Sequence, residues 1–155
     1  MCVEGISMCD RKPFSTTEVR RQNRNRVYRQ LTATWEPITK QDLATQLSMS
    51  LPTLSQNLNE LAEMGLIDRS ETTSSTGGRR PRLIIPLADA RFAIGAEVTS
   101  RDLRLVAVNL RQKTMAYQKC DLSFSNTEAY GGHLARLIEN FLDENHLDRE
   151  KLLGV

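Results

Sequence analysis

The stretch from Ile38 to Arg82 constrains this chain most. It opens with Ile38-Thr39-Lys40-Gln41-Asp42-Leu43-Ala44, passes through Met64-Gly65-Leu66-Ile67, and closes on Gly77-Gly78-Arg79-Arg80-Pro81-Arg82. Thr39 can cap a helix over about 40–47, with Asp42 completing an approximate capping box and Ile38 stapling the entry. Ser48-Met49-Ser50 is a tight joint, and Ser50 can cap a second helix over about 51–64. Pro52 is tolerated there because first-turn amides have no helical acceptor. Gly65 fits the position just past a helix end. Leu54, Leu58, Leu61 and Ala62 recur at spacings of three and four, which gives one buried face. Pro52, Thr53, Gln56 and Asn59 then project from roughly the opposite side.

Two strands are expected next, over about 66–72 and 82–87, joined by the Ser/Thr/Gly-rich loop 73–81. Upstream, a longer helix is expected over about 17–34. Ser15 or Thr16 would cap it, Glu18 would sit in its first turn, and Val19, Val27, Leu31 and Trp35 would form its apolar stripe. Residues 1–16 carry no periodicity and are read as a disordered lead-in. A short connector, 87–91, leads to a different pattern: three strands over 92–98, 103–110 and 114–122, and a helix over about 126–145. For that helix Ser125 and Glu128 spell a capping box, and Leu134, Leu137, Ile138, Phe141 and Leu142 form the inner stripe. Lys151 to Val155 reads as the opening of a fourth strand. The fold class expected is α+β: an N-terminal winged helix-turn-helix over 17–87, then a truncated α/β segment over 92–155.

Charge argues by placement, not by total. The 155 residues carry 21 Lys and Arg against 19 Asp and Glu, a net of only +2. Arg20, Arg21, Arg24, Arg26 and Arg29 nevertheless cluster with no acid among them, and Arg79, Arg80 and Arg82 cluster again. A helix that reads DNA presents short polar side chains from its N-terminal half to the major groove. Thr53, Gln56 and Asn59 supply donors and acceptors there, each good base contact being worth roughly 1–3 kcal/mol of discrimination. Gly77 and Gly78 let the backbone turn sharply. Arg79 and Arg80 could reach phosphates or a narrow minor groove, whose potential is more negative, and Pro81 holds Arg80 extended. The competing reading of each piece alone is a solvated helix face and a mobile hairpin tip. The succession of helix, turn, helix and basic wing favours DNA. One or two of the first-helix arginines would touch phosphate, which positions a protein without reading sequence.

Other chemistry is weakly supported. Cys2, Cys9 and Cys120 are odd in number with no CxxC, which argues against a disulfide framework or a zinc site. Cys120 reads as a small buried strand residue. His133 and His146 are too far apart to form a pair on adjacent helical turns. Gly131-Gly132 inside the last helix would be explained by close packing on the sheet or by a functional backbone contact. No run suits a signal peptide or a membrane span, so a cytoplasmic protein is expected, with no membrane partner and no cofactor.

Ile38 to Pro81 resembles the N-terminal winged helix of the ROK family (repressor, open reading frame, kinase). The matching runs are Ile38 to Ala44, Ser50-Leu51-Pro52-Thr53-Leu54-Ser55-Gln56-Asn57-Leu58, Leu61, Gly65-Leu66-Ile67 and Gly77-Gly78-Arg79-Arg80-Pro81. Residues 92–155 are similar to the first βββα segment of that family's actin-like (ribonuclease H-like) sugar-binding domain. The resemblance implies a transcriptional repressor, often of sugar catabolic genes, tuned by a sugar or its phosphate. It also implies Thr53, Ser55 and Gln56 for reading, and Arg79 and Arg80 for the wing. The DNA-contacting set is therefore Ser50, Pro52, Thr53, Ser55, Gln56, Asn59, Gly77, Gly78, Arg79, Arg80 and Arg82. Family kinases carry an Asp-Ile-Gly-Gly-Thr-like phosphate loop. The equivalent run here, Glu97-Val98-Thr99-Ser100-Arg101-Asp102, lacks both glycines, which argues against an enzyme. The family's later sugar-binding and zinc motifs would fall beyond Val155, so a sugar effector is expected only in a full-length form. Homodimerisation stays open. The alternatives are a sugar kinase with an appended domain and a winged-helix protein-interaction module. An uncovered sheet edge and helix face in 92–155 would favour aggregation.

Overall fold

A computed structural model describes residues 15–69 and 82–155. Helix α1 spans Thr16–Thr34 and starts on a complete capping box. The Ser15 hydroxyl accepts from the Glu18 amide at 3.2 Å, and the Glu18 carboxylate accepts from the Ser15 amide at 2.7 Å. That backbone hydrogen bond holds the Glu18 carboxyl below its ordinary pKa. Val27 and Leu31 are buried as expected, but Val19 lies exposed on the first turns. The helix stops at Trp35, whose φ is +60°, ahead of Pro37.

Strand β1 (Ile38–Thr39) leads directly into α2 (Lys40–Leu47), which the left-handed Ser48 ends. Helix α3 (Leu51–Glu63) follows. Its end is a full Schellman motif: the Gly65 amide donates to Ala62 O at 2.9 Å and the Leu66 amide to Leu61 O at 3.0 Å, with Gly65 at φ +67°. Strand β2 (Ile67–Asp68) and strand β3 (Leu83–Pro86) complete an antiparallel sheet in the order β1-β3-β2. Ile38 pairs with Ile84, and Ile67 with Pro86. Strand β1 is an addition to the sequence reading, which used Ile38 only as a staple. Two residues are too few to show alternation, and the strand exists because β3 offers Ile84 and Leu83 as partners to Ile38 and Thr39. Pro86 survives in the central strand because β1 has already ended at that level. The ladder bond to β2 is made by the Leu87 amide, to Leu66 O at 3.0 Å. Val27, Leu31, Leu43, Leu47, Leu54, Leu58, Leu61, Ile67 and Ile84 form one core.

The remaining residues build a second core on an antiparallel meander of β4 (Phe92–Val98), β5 (Leu103–Asn109) and β6 (Thr114–Cys120), in that spatial order. In β5 the inward residues Leu103, Leu105, Ala107 and Asn109 are buried and their neighbours less so, the period-2 signature of a sheet covered on one face. The register shifts at Ala107/Val108, so that Met115 bulges out of β6. Helix α4 (Glu128–Glu144) covers the inner face with Phe141 and Leu142 buried, and Leu134, Leu137 and Ile138 half-buried.

Two expectations for α4 need correction. Thr127, not Ser125, is the cap: its hydroxyl accepts from the Tyr130 amide at 3.3 Å, which places Glu128 at the first helical position and out of reach of a capping box. Gly131 and Gly132 do not pack on the sheet. Both are exposed, and a Cβ added to either would meet nothing within 4 Å. His133 is exposed, and His146 takes φ +53° just after α4. Cys120 is a free thiol, half-buried against the second core, and burial pushes it above its ordinary pKa.

The last residues form no strand of their own but make an isolated parallel bridge to β4. Leu152 pairs in parallel with Phe92, the Leu153 amide donates to Phe92 O at 2.8 Å, and the Ile94 amide donates to Gly154 O at 3.0 Å. A 3-10 turn, Ala88–Ala90, joins the two cores and is tied to both sides. The Leu110 amide donates to Ala88 O at 3.1 Å and Asn109 Nδ2 to Asp89 Oδ1 at 2.7 Å, while Arg91 Nη2 reaches back to Met64 O at 3.0 Å. The architecture is a winged helix-turn-helix followed by the first part of an α/β domain. No helix among the described residues is long and apolar enough to cross a membrane.

Candidate nucleic-acid interface

The site rests on how α2 and α3 are held. The α2 C-terminus closes through two bonds across the left-handed Ser48: the Ser48 amide to Thr45 O at 3.2 Å and the Met49 amide to Ala44 O at 3.0 Å. Arg26 of α1 adds a charge-assisted bond to Leu47 O at 2.9 Å, a cation placed at the negative end of the α2 dipole. Arg24 of α1 pairs with Glu60 of α3 at 3.0 Å. These two arginines therefore brace the helix-turn-helix from behind. Arg20, Arg21 and Arg29 remain exposed and available to a phosphate.

At the start of α3 the Ser50 hydroxyl lies 2.8 Å from Thr53 Oγ1 and caps the Thr53 amide at 3.4 Å. Behind that cap the helix separates into two faces. Leu54, Leu58 and Leu61 are fully or almost fully buried, whereas Pro52, Thr53, Gln56 and Asn59 are exposed, as the spacing predicts. Ser50 is exposed beside them. Ser55 departs from the pattern: it is half-buried, and its hydroxyl turns back to Leu51 O.

Sequence reasoning missed two residues. Asn57 is 5% exposed, on the border of the polar face, and is tolerated because its Nδ2 donates to Thr53 O at 2.7 Å. That bond braces the turn from which Thr53 projects. Arg69, just after β2, donates from Nη1 to Asn59 Oδ1. A lone arginine inside the expected strand 66–72 carries no sequence signal that it returns to a helix ten positions earlier. Arg82 is exposed at the start of the returning strand. Gly77, Gly78, Arg79 and Arg80 lie outside the described residues.

The run that stands where family kinases carry the phosphate loop is turned on itself. The Thr99 amide donates to Asp102 O at 2.9 Å, and the Arg101 and Asp102 amides both donate to the Thr99 hydroxyl at 3.2 and 2.9 Å. Asp102 is held by Lys119 at 3.0 Å and Arg104 at 3.3 Å, and the Lys119 hydrogen bond in particular keeps its carboxyl below the ordinary range. Among the described residues no group of His, Cys, Asp and Glu could hold a metal ion.

Comparison with known proteins agrees with this geometry. Residues 19–75 match the Crp-like helix-turn-helix domain. Over 137 residues the chain is 26% identical to the DNA-binding transcriptional dual regulator NagC of Escherichia coli (strain K12), covering 88% of this chain and 34% of that protein. The N-acetylglucosamine repressor of Shigella flexneri matches with the same identity and coverage. The chain thus spans about a third of the length of these curated relatives. Among solved structures, a ROK family transcriptional regulator described as a homolog of the E. coli MLC protein superposes with a TM-score of 0.61 at 19% identity, over 81% of this chain and 32% of that one. The helix-turn-helix match, the repressor relatives and the shared fold point the same way: at low sequence identity, the chain is similar to these transcriptional regulators and shares the fold of a ROK family regulator over most of its length.

Proposed function

We propose that this chain binds double-stranded DNA sequence-specifically and acts as a transcriptional repressor of sugar-utilisation genes, answering to a sugar or sugar phosphate in a full-length form. The observation that carries the reading is the division of α3. One face is locked into the core by Leu54, Leu58 and Leu61, and the other presents Pro52, Thr53, Gln56 and Asn59 beyond a capped N-terminus. That is the surface a major-groove reader needs. The relatives named as a regulator and as N-acetylglucosamine repressors support the sugar connection. In this reading residues 17–87 form the DNA-binding domain, 92–155 begin the effector domain, and the protein works in the cytoplasm without a membrane partner.

A regulator is favoured over a kinase because the backbone amides of Thr99, Arg101 and Asp102 are already used within their own turn. Phosphates would have to displace those bonds. A symmetric operator would call for a homodimer.

The test is a titration of duplex binding against salt. Affinity falls steeply with salt as phosphate contacts release counterions. Arg79→Ala and Arg80→Ala weaken binding on all sequences and lower the salt slope by about one each. Gln56→Ala instead relaxes sequence preference and leaves the slope unchanged. If none of these three variants alters affinity, slope or preference, the roles assigned to α3 and the wing are wrong.

A further inference from the structure

Arg69 sits beside the reading face without belonging to it. It follows β2 directly, and its guanidinium donates to the side-chain oxygen of Asn59, two turns into α3 from Thr53. Arginine carries five N–H donors and no acceptor. The atom of Asn59 turned toward it must therefore be the carbonyl oxygen, and the Nδ2 amino group is turned away. Asn59 is exposed, so that amino group is what it offers to a partner.

The chemistry of the offer changes with this contact. An asparagine that reads adenine uses both ends of its amide: Oδ1 accepts from N6 and Nδ2 donates to N7. With one lone pair of its carbonyl taken by Arg69 and a cation standing beside that oxygen, Asn59 offers its Nδ2 donor more readily than its Oδ1 acceptor. Guanine presents two acceptors, O6 and N7, in the major groove, whereas adenine places a donor at N6. Building on the DNA-binding reading above, we propose that Arg69 is a specificity-determining residue, which biases Asn59 toward donating and so favours guanine over adenine at one position of the bound site. The remaining guanidinium donors of Arg69 add positive charge beside that position and act in the same direction.

The test is selection of bound duplexes from a random pool at low salt, using the 155-residue chain as wild type, Arg69→Ala, Arg69→Lys and Asn59→Ala. The proposal expects every variant to keep the preferences set by Thr53 and Gln56. At one position the wild type prefers guanine, Arg69→Ala shifts the preference toward adenine by about tenfold, and Asn59→Ala loses it. Arg69→Lys keeps guanine, because an ammonium also only donates. A uniform weakening by Arg69→Ala across all sequences, with a shallower salt slope, would reduce Arg69 to a phosphate contact and overturn the proposal. An unchanged preference at every position in Arg69→Ala would also overturn it. No enrichment by the wild type would instead sink the DNA-binding reading itself, and this proposal with it. The side-chain amide resonances of Asn59 in the free protein test the contact apart from DNA: they must move in Arg69→Ala, and unmoved resonances mean the contact does not form.

Discussion

Gly65 and His146 occupy the same position in two copies of one motif, which yields a paired prediction with opposite signs. Each follows a helix end in the left-handed region, Gly65 at φ +67° after α3 and His146 at φ +53° after α4. Each helix closes with the same pair of bonds. After α4 the His146 amide donates to Asp143 O at 3.1 Å and the Leu147 amide to Leu142 O at 2.9 Å. For a residue with a Cβ the left-handed conformation costs about 1–2 kcal/mol. A Cβ on Gly65 would meet nothing within 4 Å, so Gly65→Ala suffers that conformational strain and no clash. Reduced unfolded-state freedom returns about 0.4–1 kcal/mol. The net loss is therefore about 0.5–1 kcal/mol. His146→Gly runs the same balance backwards and should stabilise by about 0.5–1 kcal/mol. Urea unfolding followed by circular dichroism measures both, with the slope checked for constancy. A neutral Gly65→Ala together with a destabilising His146→Gly would refute the prediction, because left-handed strain would then not exceed the chain-entropy term at either position.

Three further outcomes follow from the packing and the charges. Leu58→Ala removes a side chain with 0% exposure from the first core and should cost about 2–5 kcal/mol; a loss under about 1 kcal/mol in urea unfolding would mean that α3 is not seated as described. Gly131→Ala and Gly132→Ala should each stabilise α4 by about 0.5–1 kcal/mol, since both glycines are exposed with open space at Cβ; lowered thermal stability in either variant would show that this face of α4 needs close approach by another surface. Asp102 has its carboxyl held below the ordinary range by Lys119, Thr99 and Arg104, so its contribution is present above the unfolded-state carboxylate pKa and is lost as pH falls through the depressed native value. Unfolding measured from pH 6 down to about pH 2 should therefore show wild type and Asp102→Asn converging at the acid end. A stability gap that persists undiminished there would contradict the ionic origin.

The helix-turn-helix was legible because its punctuation is local. Thr39, Ser50 and Gly65 each act through bonds to residues within four positions, and the three leucines of α3 repeat at the helical period. The three strands of the second unit were legible for the same reason, as alternation survives along seven residues of β5. What escaped is what depends on partners distant in sequence. Strand β1 has only two residues and is defined by β3, more than forty positions later. At the start of α4, Ser125 and Thr127 offer two hydroxyl caps two residues apart, and nothing local in the sequence decides between them. Of the site, the exposure of Thr53, Gln56 and Asn59 followed from angular position, but the withdrawal of Ser55 into the Leu51 carbonyl did not. Nor could periodicity show that Arg24 and Arg26 serve the fold while Arg20, Arg21 and Arg29 stay free on the surface.

The central claim is that α3 reads sequence. Selection of duplexes from a random pool by the 155-residue chain at low salt tests it most directly. The account predicts enrichment of a short site whose preference relaxes at one position in Gln56→Ala. Retention of DNA without enrichment would reduce the interface to a basic surface, and no retention at all would contradict the claim and point instead to a winged helix that binds protein.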